Sequence, residues 1–186
     1  MQIAAGLLAC LRANSIIIGA NTCSSKMPGS MTVPAATARG DPAGGPRAAR
    51  FAREKGDGLM ATEPRKDIIE AFGRQGPRYA EVAMCCAKRE DEARATAHKY
   101  FRWSLTGWPV QAELPNPKGF AAASKHIAPE AVADKMSCGP SPERHLQAIR
   151  KFTEAGFDHI VLVQIGPDQD YFFDLFKHEL AAALRG

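Results

Sequence analysis

Residues 43–62 read AGGPRAARFAREKGDGLMAT. Gly44-Gly45-Pro46 opens a helix that runs to about Lys55, since proline at the first helical position has its φ preset and Gly56 supplies the stop. Asp57 to Thr62 follows as a short strand. The paired glycines let a backbone approach an anion closely, and the free amides at the start of the following helix point at it. Arg47 adds a positive charge within reach. On its own, a glycine pair before a helix is more often the mark of a tight turn.

Reading outward, a second helix starts near Pro64, sets Ile68, Ile69 and Phe72 on one side, and ends at Gly73 and Gly76-Pro77. Tyr79 to Ala87 is the next strand, with Val82, Met84 and Cys86 on one face. Arg89 to about Trp103 is a long helix whose acidic first turn suits the helix dipole. A proline-rich insertion of loop and short helices covers about 104–138. Ser141 N-caps a further helix with Leu146, Ile149 and Phe152 as its buried stripe, closed by Gly156. Ile160 to Ile165 is apolar nearly throughout, as expected of a parallel strand covered on both sides. The last helix, about Gln169 to Leu184, is expected to bury Phe172, Phe173, Phe176, Leu180 and Leu184. Helix separates each strand from the next, so the expected class is parallel α/β.

Upstream, the composition changes near residue 43. Residues 21–42 are mostly Ser, Thr, Pro, Gly and Ala, which cannot build a core. Ile16-Ile17-Ile18 could form a short strand, with little around it in support. The expected organisation is therefore an irregular or disordered segment over 1–42 and a structured part over 43–186. The 186 residues are 45% hydrophobic and 24% charged, enough for one real core. A net charge of +4 without a basic stripe argues against nucleic-acid binding.

The five cysteines (Cys10, Cys23, Cys85, Cys86 and Cys138) include no C-x-x-C pair and offer no convergent metal-ligand spacing, so all five read as reduced thiols. Leu7-Leu8-Ala9-Cys10 is shaped like a lipoprotein cleavage box. No basic region precedes it and Arg12 follows at once, so a signal peptide or membrane span is not expected and the expected location is the cytoplasm.

The segment from Ala43 to Thr62 closely resembles that of the luciferase-like superfamily in which a strand-end glycine pair, a short helix and a GDG strand follow one another. YAEVAMCCAKREDEARATAHKYFRW, an insertion, SPERHLQAIRKFTEAGFDHIVLVQIGP and FFDLFKHELAAALR then follow in the family's order, with the F420-dependent glucose-6-phosphate dehydrogenase type as the branch most resembled. The resemblance covers residues 43 to the end and implies the C-terminal half of a (β/α)8 TIM barrel, with coenzyme F420, a deazaflavin, as hydride carrier. It implies that Gly44, Gly45 and the backbone of Arg47 and Ala48 hold the cofactor's phosphate. It also matches Thr62 to a substrate-binding threonine, and sets Arg65 and Lys135 at or near two cationic positions, with Arg and Lys exchanged. A third cation, a lysine of the family's insertion, has no counterpart in 107–117. Since Arg and Lys are not interchangeable at a phosphate, these departures point to a small-molecule substrate other than a sugar phosphate.

A whole barrel of this type needs about 250 residues. The clear strands resemble the last three of eight, and residues 1–42 match nothing in the family's N-terminal half, which carries its acid/base and aromatic cofactor contacts. The five histidines (His98, His126, His145, His159 and His178) fall in no recognised catalytic motif, so no catalytic residue is assigned. The expectation is a truncated chain or a half-barrel that assembles with a second copy or a complementing half, because a lone apolar parallel sheet exposes its edges. An FMN-dependent monooxygenase of the same fold and a non-catalytic phosphate-binding fragment remain the alternatives.

Overall fold

The computed structural model describes residues 15–19 and 40–184. The element order is β1 (Ser15–Gly19), β2 (Gly40–Pro42), α1 (Pro46–Lys55), β3 (Gly58–Ala61), α2 (Lys66–Phe72), β4 (Arg78–Cys86) and α3 (Glu90–Phe101). A 3-10 turn (Arg102–Thr106) and the short helices α4 (Trp108–Gln111), α5 (Pro117–Ala123) and α6 (Pro129–Lys135) then form the insertion. β5 (Ser137–Gly139), α7 (Pro142–Ala155), β6 (His159–Gln164), α8 (Gln169–Leu175), a π-helical turn (Phe176–Leu180) and α9 (Ala181–Ala183) complete the chain. The strands run β1-β6-β4-β3-β2, with β5 also on β4, and β1–β6, β2–β3, β3–β4 and β4–β5 pair in parallel. The fold is α/β with parallel strands alternating with helices.

The chain divides into two units, the first reaching Val82 and including Ala148–Val163, the second comprising Ala83–Gln147 and Gln164 onward. In the first unit Leu59, Ile68, Phe72, Ala80, Ile149 and Leu162 are buried to within 1%. Asp158 ties the start of β6 to the start of β4. It accepts hydrogen bonds from the Arg78 amide at 2.7 Å and from the Arg78 guanidinium at 2.9 and 2.8 Å. In the second unit Cys85, Ala93, Ala97, Val132 and Cys138 make a core of small side chains between α3, α6 and β5. Small residues here allow the helices a close approach to the strand.

Three expectations need correction. Burial alternates along β6: Ile160, Leu162 and Gln164 are buried, while Val161 and Val163 are only half-buried. In the last helical segment Phe172 and Leu180 are buried, but Phe173, Phe176 and Leu184 are half-buried. Phe173 lies one step around α8 from buried Phe172, and a π-helical turn over Phe176–Leu180 changes the winding ahead of Leu184. In the stripe of α7, Leu146 is half-buried and His145 takes the wholly buried position. The expected irregular segment over 1–42 falls largely outside the described residues, as do Cys10 and Cys23. Within it the structure places two strands, β1 and β2. No helix among the described residues is long and apolar enough to cross a membrane.

Candidate functional site

The glycine pair sits in the first unit, directly after the carboxyl end of β2 and at the amino end of α1. The Ala43 amide donates to the Met60 carbonyl at 2.8 Å, so the β2–β3 pairing extends to the edge of the pair. The register sets Pro42 opposite Met60, the last pair of β2 with β3. Thr62 is exposed, one residue beyond the end of β3. Two of the expected positions, Gly44 and Thr62, thus follow the carboxyl ends of adjacent parallel strands, where α/β folds build their sites.

Gly45 is the N-cap of α1, in extended backbone at φ −177°, and no side chain caps the first turn. Pro46 brings no amide. The amides of Arg47 and Ala48 are therefore the donors that the helix start offers. A Cβ built on Gly44 or on Gly45 would meet nothing within 4 Å. Neither packing nor φ demands glycine at these positions. What the two glycines provide is a start of α1 that no side chain of their own covers. Arg47 is exposed beside it.

Arg65, the N-cap residue of α2, reaches the same corner. Its Nη1 donates to the Gly44 carbonyl at 3.4 Å. Asp67 holds the other side of the guanidinium through bonds of 3.0 and 2.5 Å, and also accepts from the Ile68 amide at 3.0 Å. These hydrogen bonds raise the Arg65 guanidinium above its usual range and hold the Asp67 carboxyl below its own. The resemblance sets Arg65 and Gly44 on different ligands, whereas the structure joins them by a hydrogen bond. Lys135 is exposed at the end of α6, in the second unit.

The second unit contains a buried polar network that the sequence reading missed. His145 is wholly buried. Its Nε2 lies 3.0 Å from the Gly139 carbonyl, which can only accept, so Nε2 carries the proton and Nδ1 accepts from the Ser137 hydroxyl at 2.6 Å. Cys86 Sγ lies 3.4 Å from Nε2. The Gln164 side chain bonds both the amide and the carbonyl of Cys86, at 2.9 and 2.8 Å, as another strand would. Burial lowers the His145 imidazole below 6.5, so it is a neutral structural group. Burial also pushes the Cys85 thiol up to about 12 and Cys138 up to about 11, and raises Cys86 further, so these three behave as small apolar residues. The available signal was spacing: His145, Ile149 and Phe152 share one helical face.

No profile of a known protein family matches the chain. It is 26% identical over 159 residues to the F420-dependent glucose-6-phosphate dehydrogenase of Nocardia farcinica, covering 77% of this chain and 47% of that one. The chain is related to the F420-dependent oxidoreductases of the luciferase-like family. It spans about half the length of the curated relatives it matches. A solved F420-dependent secondary alcohol dehydrogenase matches with a TM-score of 0.63 at 20% identity, over 76% of this chain and 47% of that one. The F420-dependent tetrahydromethanopterin reductase of Methanopyrus kandleri matches with a TM-score of 0.55 at 20% identity, over 76% and 49%. At that identity these two comparisons bear on the fold alone: the chain matches about half of a luciferase-like barrel.

Proposed function

We propose that residues 43–186 form the coenzyme-phosphate end of an F420-dependent oxidoreductase. The observation that carries the reading is the uncapped first turn of α1, opened by Gly44 and Gly45 at the carboxyl end of a parallel strand. The backbone amides of Arg47 and Ala48 would donate to the phosphate, and the positive end of the helix dipole would favour its charge. Bound deazaflavin would supply hydride transfer to or from a small-molecule substrate. This chain's residues would fix the coenzyme's tail and so the position of its ring.

Arg65 has a supporting part in this reading. Its guanidinium is committed to Asp67 and the Gly44 carbonyl, which favours a role in setting the loop over one in gripping a substrate phosphate. Thr62, just beyond the carboxyl end of β3, is the residue we assign to the substrate side. Lys135 is a second, separate proposal for that side. The same reading places the protein in the cytoplasm, acting with a second copy or a complementing barrel half.

Titrating the purified chain with F420, and separately with FMN, tests the proposal through each cofactor's own fluorescence. Saturable binding of F420 and none of FMN is expected. Saturable binding of FMN alone would move the assignment to an FMN-dependent monooxygenase of the same fold, and binding of neither would overturn the reading.

A further inference from the structure

Within the second unit, the end of α3, the 3-10 turn and α5 line a surface pocket of about 410 Å³, open to solvent, that the glycine-pair site does not use. Its walls are the rings of Trp103 and Phe120, 5.9 Å apart and nearly perpendicular, together with Pro117 and Ala121. Lys99 and Arg102 stand at its lining. The volume lies in the range of small-molecule pockets, about 300–1,000 Å³.

The polar atoms of this lining sort clearly. The Trp103 indole N–H donates to the Tyr100 carbonyl at 3.1 Å, so this lining residue has no free polar atom to offer a ligand. The buried Ser124 hydroxyl donates to the Phe120 carbonyl at 2.7 Å. Lys99 and Arg102 are different: among the described residues no carboxylate pairs with either one. Lys99 leans over the Tyr100 ring at 5.0 Å. The dipole of α3 accounts for a basic residue in its last turn. It does not account for an aromatic pocket lined by two cations that, among the described residues, no carboxylate pairs.

We infer that this cavity binds a small aromatic carboxylate, with its rings against Trp103 and Phe120 and its carboxylate on Arg102 and Lys99. Flat apolar walls select a flat apolar body, because ring-on-ring contact adds to simple burial. The guanidinium of Arg102 offers paired donors to a carboxylate. The inference is independent of the coenzyme proposal, since none of its residues belongs to that corner.

The test uses the full chain and 2-naphthoate as the probe, with neutral 2-naphthamide as the control, followed by calorimetry and by the indole N–H signals of the two tryptophans, Trp103 and Trp108. Expected are saturable one-to-one binding of the acid, a shift of the Trp103 signal with Trp108 unmoved, and binding of the amide weaker by about tenfold or more. Arg102→Gln should weaken the acid by about the same factor and leave the amide unchanged, and Lys99→Gln should act in the same direction by less. Equal affinity for acid and amide would overturn the inference. So would a shift at Trp108 alone, a response indifferent to both substitutions, or no saturable binding together with concentration-dependent self-association through this face.

Discussion

Replacing Gly45 by Val separates what the glycine does for folding from what it does for binding. A Cβ at this position meets nothing within 4 Å, and φ −177° is extended backbone that a β-branched residue adopts readily. The N-cap preference for glycine over valine costs about 1 kcal/mol at most, and the stiffer unfolded chain returns about 0.4–1 kcal/mol. The net change in stability should lie within about 1 kcal/mol, which for a chain of this size is a shift in Tm of about 2–4 °C. Binding should respond differently. Each charge-assisted hydrogen bond from a helix amide contributes about 1.5–3 kcal/mol, so a branched side chain that pushes a phosphate off even one amide weakens Kd by about tenfold to a hundredfold. Thermal denaturation and F420 titration of the same preparation measure both numbers. A variant with an unchanged melt and a Kd within about twofold of the parent would refute the reasoning, because the open space above Gly45 would then not be where the ligand lies.

Three further outcomes follow from the structure. Gly139→Ala should destabilise the fold by about 2 kcal/mol or more in urea titration, because Gly139 has φ +111° and its Cβ would collide with Glu90, which accepts from Arg144 at 2.7 Å and from Arg94 at 3.0 Å; a loss below about 0.5 kcal/mol would contradict the close packing. Stability should fall as pH drops below 6.5, where the unfolded chain takes up a proton that buried His145 refuses, and His145→Gln should flatten that slope in chemical denaturation at stepped pH. For Asp158, burial raises the carboxyl, but bonds from His159 and Arg78 outweigh it and hold the group below 3.8. Its contribution is therefore present above that value and lost as pH falls through the lowered one. Asp158→Asn should cost about 1 kcal/mol at neutral pH, discounted because the pair is about one-third exposed, and should leave the loss on acidification shallower in an acid titration.

Much of this architecture was readable from residues with strong local signals. Gly56, Gly73 and Gly156 end helices where the sequence says they should, and β3, β4 and β6 begin and end within about a residue of the expected runs. The glycine pair was legible for the same reason, since a Gly-Gly-Pro run fixes both a strand exit and a helix start. What escaped were features made by partners distant in sequence. Gln164 looks like one more strand residue until the Cys86 backbone 78 positions away receives it. His145 looks like a surface residue of a polar first turn until Ser137 and the Gly139 carbonyl enclose it. Arg65 reads as a substrate-side cation, and only the fold brings it onto the Gly44 carbonyl. The π-helical turn is similarly silent in sequence, because Phe172, Phe176 and Leu180 also satisfy an ordinary helical stripe.

In the proposed function, backbone nitrogens at the start of α1 receive an anionic tail. Amide-resolved NMR of the isotopically labelled chain during F420 addition observes those nitrogens themselves. The prediction is saturable displacement of the Gly44, Gly45, Arg47 and Ala48 amide signals, with the signals of α5 and α6 unmoved. Saturable coenzyme binding that leaves those four amides where they were would contradict it.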